Sequence, residues 1–201
     1  MPKAFTEAEK QQIRATLTAT GLKHFERAGI RAARVEDICA DVGIAKGSFY
    51  AFFPSKEDLF MSIVEAREDL HQSDMLAFIE SAKGAPRRRA GLFFDMIQSK
   101  IETDPVLNLV LANGEITYLV RKLGAERFAA GHRKDKAFVE SAARRWSESG
   151  GGRIAASDML GLMTITLGVA SQRRHMTAEQ YGPSIALLRE LFIDRLTRGS
   201  K

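Results

Sequence analysis

The side chains with the clearest chemistry in this sequence are donors suited to phosphate oxygens. They lie between Val35 and Phe60, in the stretch VEDICADVGIAKGSFYAFFPSKEDLF. Ala45, Lys46, Gly47, Ser48 and Ala51 would share the outer face of a short helix. All are small apart from one lysine, so such a helix can approach base edges and backbone closely. Tyr50 can reach a phosphate with its hydroxyl. Lys56 stands at a helix start, where a positive charge beside free backbone N–H groups suits a phosphate clamp. Groupings expected of an enzyme are missing: there is no GxSxG, no Walker loop, no HExxH and no close carboxylate–histidine set. His24, His71, His132 and His175 are scattered without an i,i+4 pair, so no metal site is expected, and no cofactor.

The elements that must position these groups read as helices almost throughout. Thr6 followed by Glu7 and Glu9 suits a first helix start, with Ile13, Leu17, Leu22 and Phe25 as its apolar stripe and Gly29 as its end. A second helix over Val35–Val42 turns Val35, Ile38, Cys39 and Val42 inward. Gly43 breaks it, and a third is expected from about Ala45 to Phe52. Two short helices joined by a glycine-containing turn form a helix-turn-helix unit, whose second helix enters the major groove. Ser55-Lys56-Glu57-Asp58 reads as a capping box opening a fourth helix. Cys39 sits on the inner face of the second helix and reads as core.

Gly29, Val35-x-x-Ile38 and Gly43-Ile44-x-Lys46-Gly47-x-Phe49-Tyr50-x-x-Phe53-x-Ser55-Lys56-Glu57-x-Leu59 closely resemble the signature of the tetracycline-repressor (TetR/AcrR) family. The resemblance covers about residues 13–60. It implies that Lys46, Gly47 and Ser48 lie at a DNA surface with Tyr50 and Lys56 on phosphates. The family usually opens the second helix with a threonine or serine. Here Ala33 and Arg34 occupy those positions, so a cap is lost and Arg34 can supply a charged contact instead. The remainder matches only in style, as a divergent all-helical ligand domain.

Further helices are expected from Ala85-Pro86, from Asp104-Pro105 through Leu111, over Ala125–Ser147, from Ser157 to near Arg174, and over Pro183–Thr197, giving about nine in all. Gly150–Gly152 reads as a flexible joint and Arg87-Arg88-Arg89 as a solvated helix start. Phe93, Phe94, Ile97, Phe128, Phe138, Trp146 and Met163 fall at helical spacing; such a stripe either lines a ligand cavity or is simply core. Met159–Ala170 is apolar nearly all round, and the last helix carries Ile185, Leu188, Phe192 and Leu196. A helix apolar on two sides must be covered on two sides. Either one subunit buries it, or a dimer does, with Leu160, Leu167, Ile185, Leu188, Phe192 and Leu196 at a four-helix interface of the kind the family uses.

The expected architecture is therefore all-α: a helix-turn-helix DNA-binding domain over 1–60 and a ligand-binding and dimerisation domain over 61–201. The chain of 201 residues can bury a substantial core, and its single cysteine excludes an internal disulfide. With no apolar leader in Met1–Lys10 and no membrane-length stretch, a cytoplasmic protein is expected. The net charge of +5 hints at a polyanionic partner, yet residues 1–60 hold nine Lys and Arg against eight Asp and Glu. Placement of charge, more than its sum, must define a DNA face. The function these features imply is a ligand-responsive repressor, a dimer that binds a palindromic operator and is released by a small, largely apolar effector. A DNA binder without an effector is the alternative.

Overall fold

The structure, a computed structural model, describes residues 6–112 and 114–199; the first five residues of the segment read above as leaderless lie outside them. The described residues form ten α-helices and one 3-10 turn, with no strand. They are α1 (Glu7–Ala32), α2 (Val35–Val42), α3 (Lys46–Phe49), α4 (Lys56–Ser81), α5 (Pro86–Thr103), α6 (Pro105–Val110), α7 (Glu115–Leu123), α8 (Ala125–Glu148), α9 (Ala156–Ser171) and α10 (Ala178–Leu196). Among the described residues no helix is long and apolar enough to cross a membrane.

Local chemistry sets most of the boundaries. Thr6 and Glu9 form a reciprocal capping box at the start of α1. The helical angles of α1 fail at Gly29, the expected end, and a last half-turn continues to Ala32. Ser55 caps α4 by accepting from the Asp58 N–H at 3.0 Å. Asp104 caps α6, its Oδ1 accepting from the N–H groups of Val106 and Leu107 at 2.8 and 3.2 Å.

The structure departs from the sequence reading in four places. The tenth helix, α7, was not expected. It opens on Gly114 without a side-chain cap, although Ile116, Leu119, Val120 and Leu123 carry the i, i+3, i+4, i+7 spacing that marks a helix. The third helix is shorter than expected, four residues followed by turns. The last begins at Thr177, which forms a capping box with Gln180, so Pro183 lies inside α10. Finally, α9 starts after Ala155 with no side-chain cap, and Ser157 is already helical.

Two apolar cores share α4. Its first two turns, Leu59 to Val64, pack with Leu17, Phe25, Ile38, Phe49 and Phe53, and with Val106 of α6 and Leu119 of α7. Its last turns, Met75 and Ile79, pack with Phe93, Phe94, Trp146 and Phe192. The aromatic rings in the second core stack: Phe93 lies 5.8 Å from Trp146, and Phe94 meets Phe192 edge-on at 5.3 Å.

Two features, the glycine triplet read as a flexible joint and the arginine run read as a solvated helix start, contribute fixed parts of this second core. Gly151 abuts the Trp146 indole so closely that a Cβ there would lie 2.3 Å from Cε2, so the triple glycine is a close-packed turn. Trp146 Nε1 donates to the Leu196 carbonyl at 2.9 Å, tying α8 to the end of α10. Arg89 is buried, while Arg87 and Arg88 are exposed. Its guanidinium donates to the Ser149 carbonyl and hydroxyl, both at 2.7 Å, and to the Ile79 carbonyl at 3.3 Å. It thereby closes the C-terminal ends of α8 and α4. Because removing the charged donor strands the buried Ile79 carbonyl and unties Ser149, Arg89→Met should lower unfolding stability by about 2–3 kcal/mol in urea. Arg88→Met should stay within about 0.5 kcal/mol. Equal effects would refute this role.

Candidate nucleic-acid interface

The turn between α2 and α3 is built by backbone geometry. Gly43 adopts the left-handed conformation, φ 78° and ψ 30°, which costs other residues about 1 kcal/mol or more. Its N–H donates to the Ala40 carbonyl, and the Ile44 N–H to the Cys39 carbonyl at 3.0 Å. This paired closure ends α2 and sends the chain sharply into α3. Phe49, fully buried, anchors the short helix, with Phe53 beside it at 6.0 Å. Arg14 of α1 lies over the Phe53 ring at 4.2 Å and donates to the Phe52 carbonyl at 2.8 Å. His24, buried in α1, holds Asp41 of α2 at 2.7 Å. The turn is thus braced from behind by α1.

Packing inward on Phe49 leaves the opposite face outside. Ala45, Lys46, Gly47 and Tyr50 are exposed in one contiguous patch, Tyr50 by 50%, and Ser48 is half-buried at its edge. Arg34 is exposed at the N-terminus of α2, where no side chain caps the free N–H groups. Lys46 is already paired: its ammonium lies 2.7 Å from Glu36 in the first turn of α2. That hydrogen bond holds the Glu36 carboxyl below its ordinary range and raises the lysine.

Lys56 requires a correction. Its ammonium donates to the carbonyls of Arg31 and Ala33, at 2.6 and 2.7 Å. It therefore fastens the end of α1 to the start of α4, because the last carbonyls of a helix lack intrahelical partners. The same junction is gripped by α7. Tyr118 donates to the buried Glu57 at 2.5 Å, and Arg31 donates to the Gly114 carbonyl at 2.8 Å while lying over the Tyr118 ring at 5.0 Å. Burial, then the bond to Glu57, pushes the Tyr118 hydroxyl up to about 12.

Residues 17–63 match the model of bacterial regulatory proteins, tetR family. Two curated relatives, both from Bacillus subtilis strain 168, are HTH-type transcriptional regulators. YuxN is 27% identical over 113 residues, covering 55% of this chain and 37% of that protein. YerO is 33% identical over 67 residues, covering 33% and 23%. Among solved structures, a TetR-family regulator from Pectobacterium atrosepticum aligns with a TM-score of 0.69 at 18% identity, covering 96% of this chain and 98% of that one. The N-terminal segment is thus similar to that of the tetR family of bacterial regulatory proteins, and the whole chain shares the fold of a TetR-family regulator. Escherichia coli NemR in its reduced form aligns with a TM-score of 0.67 at 17% identity, over 92% and 97% of the chains, a likeness of fold. The chain spans well under half the length of the curated relatives it matches.

The helices beyond α3 line a cavity of about 340 Å³. Of the seven residues read as ligand contacts, Ile97, Phe138 and Met163 line it. Phe93, Phe94 and Trp146 are sealed in the second core, and Phe128 packs against the first core. Those four stack on other rings or helices, so they are structural. Half of the other lining residues are polar, namely Glu68, His71, Gln72, Lys100, Asp135 and Thr164. His71 bonds the Asp104 carboxylate at 3.0 Å, and burial pushes its imidazole below the ordinary range.

The interface residues also divide. Leu188, Phe192 and Leu196 are buried within the protomer, and Ile185 packs half-buried against the same core. The outer face of α10 carries Leu187 and Leu191 instead, 60% and 56% exposed, one position away from the expected stripe. Beside them α9 exposes Leu160, Ile165 and Leu167. Leu160 and Leu167 also line the mouth of the cavity.

Burial, reinforced by Asp135, pushes Glu68 up to about 7 from 4.5. Between those values the unfolded chain loses its proton while the folded chain keeps it, so stability falls as pH rises through that window and stays lowered above it. Glu68→Gln should therefore raise the melting temperature at pH 8, with the gain shrinking towards pH 4.5. A gain independent of pH would contradict this assignment.

Proposed function

We propose that the protein is a ligand-responsive transcriptional repressor of the cytoplasm, binding a palindromic operator as a homodimer and released by a small, largely apolar effector. The observation that carries this reading is the outward face from Ala45 to Tyr50, held away from the core by Gly43 and Phe49. In this reading residues 1–60 are the DNA reader and 61–201 the ligand-binding and dimerisation domain, joined through α4. Ala45, Lys46, Gly47 and Ser48 meet base edges and nearby phosphates in the major groove. Tyr50 and Arg34 hold the backbone on either side. Lys56 acts through structure, keeping α1 and α4 together at the DNA end of the molecule.

The dimer is supported by the apolar outer faces of α9 and α10, which a second copy would cover. A palindrome read by two such helices needs them about 34 Å apart, one helical turn of DNA. The effector acts on that spacing. His71 and Met75 of α4 line the cavity, and Asp104, bonded to His71, caps α6. A ligand among them biases the pose of α4 against α6 and α7, and the junction at Lys56, Tyr118 and Arg31 passes the change to α1. A coupling of about 1–3 kcal/mol suffices to alter operator affinity markedly.

Mobility shift with the promoter DNA beside its own gene tests the reading. A salt-sensitive, sequence-preferring complex is expected, and its absence would overturn the proposal. Lys46→Ala should weaken that complex and reduce its salt slope by about one unit. Glu36→Gln, which frees the lysine from its intramolecular partner, should tighten binding by about two- to fivefold. No change in either variant would remove Lys46 from the interface. Leu187→Glu with Leu191→Glu should yield folded monomers by circular dichroism and light scattering; a variant that remains dimeric places the interface elsewhere.

A further inference from the structure

The cavity has a charged end that an apolar effector does not explain. One wall is made by Met75, Ile97, Phe138, Val139 and Met163. Two carboxylates also line the cavity, Glu68 of α4 and Asp135 of α8, close enough that Asp135 raises the cost of ionising Glu68. The positive groups near them are already committed. Lys100 lies 2.5 Å from Asp74, Lys134 pairs with Asp69, and His71 is bonded to Asp104, its imidazole pushed below the ordinary range by burial. Asp135 accepts from Gln72 at 3.2 Å. Among the described residues Glu68 has no hydrogen-bond or ion-pair partner.

An anionic ligand would meet two carboxylates, and among the described lining residues the one lysine is already paired with Asp74. A neutral one would desolvate Glu68 further and, at pH 8 where the carboxyl is mostly ionised, offer that charge no partner. A cation reverses both terms. We infer that the cavity takes a monocationic amphiphile, its apolar body against Met75, Ile97, Phe138 and Met163 and its positive head against Glu68 and Asp135. This rests on the effector reading above and names the chemical class of that effector.

The protonation of Glu68 gives the inference a second readout. Its carboxyl, pushed up to about 7, is mostly protonated at pH 6 and mostly ionised at pH 8. The charged groups around it are Glu65, Asp69 and His71 on its own helix, Lys134 and Asp135 on α8, and Lys100 on α5. A bound cation should therefore gain affinity from pH 6 to pH 8, and the gain should depend on Glu68.

Three probes of equal chain length separate the possibilities: octyltrimethylammonium, octanoate and octan-1-ol, titrated below micelle formation into the full-length protein by calorimetry. Octyltrimethylammonium should bind about tenfold or more tightly than either of the others at pH 8. Glu68→Gln and Asp135→Asn should each reduce that preference, Glu68→Gln by about tenfold with loss of the pH dependence, while octan-1-ol binding stays unchanged. Because Glu68→Gln relieves a buried charge, it should fold at least as well as the parent. Octanoate binding as tightly as the cation, or a Glu68→Gln variant with unaltered cation affinity, would overturn the inference. If octanoate or octan-1-ol bound and released operator DNA, the effector reading would stand while the cationic class fell. Binding by none of the three would overturn both.

Discussion

A single unbroken helix constrains the rest of this molecule. At 26 residues α4 is roughly 39 Å long, and it is a member of both apolar cores. Leu59 and Phe60 near its start are buried against α1, while Met75 and Ile79 near its end are buried against α5 and α8. No flexible linker separates the two halves. Whatever repositions one end of the helix must move the other, or break its backbone hydrogen bonds or its packing. The groups that bind it laterally, the Lys56 ammonium, the Glu57 carboxylate and the His71 imidazole, all lie along this same rod.

Charge is used sparingly and locally. The face around Lys46 carries one lysine already neutralised by Glu36, so the free protein presents a nearly uncharged surface at α3. Exchange of Glu36 for a phosphate would cost little, because the ion pair is half exposed and water screens it. Inside the second half the arrangement is opposite. Glu68 and Asp135 stand beside a partly apolar cavity, where burial and the neighbouring Asp135 make Glu68 harder to ionise. The same residue types thus have different consequences on the two sides of the molecule, according to how much water reaches them.

Packing and polar chemistry also divide the C-terminal aromatics from the cavity. Phe93, Phe94, Trp146 and Phe192 form one stacked cluster with the Trp146 N–H satisfied by Leu196. Such a cluster has little free volume. The space a ligand could use lies to its side, where shorter or more flexible chains such as Met75, Ile97 and Met163 meet polar ones. Arg89 closes the far end of this core as a buried cation shared by carbonyls of two helix ends, a role its position in an Arg-Arg-Arg run conceals.

The sequence by itself determined the helical class, the limits of α2, the turn at Gly43 and the caps at Thr6, Ser55 and Asp104. These follow from interactions within a few residues, and residue type decides them: glycine for a positive φ, hydroxyls and carboxylates for free N–H groups. It also determined which side of α3 faces out, since Phe49 leaves no other choice. Only tertiary structure decided where Lys56 points, that Arg89 is buried, and that α10 turns Leu187 and Leu191 outward in place of Leu188 and Phe192. A helix with apolar residues on more than one side has no preferred inner face until its neighbours are placed, and a long cation selects its partners among carbonyls far away in sequence. For the same reason the carboxylates of the cavity were illegible: Glu68 and Asp135 lie 67 positions apart, and only the packing of α4 on α8 brings them together.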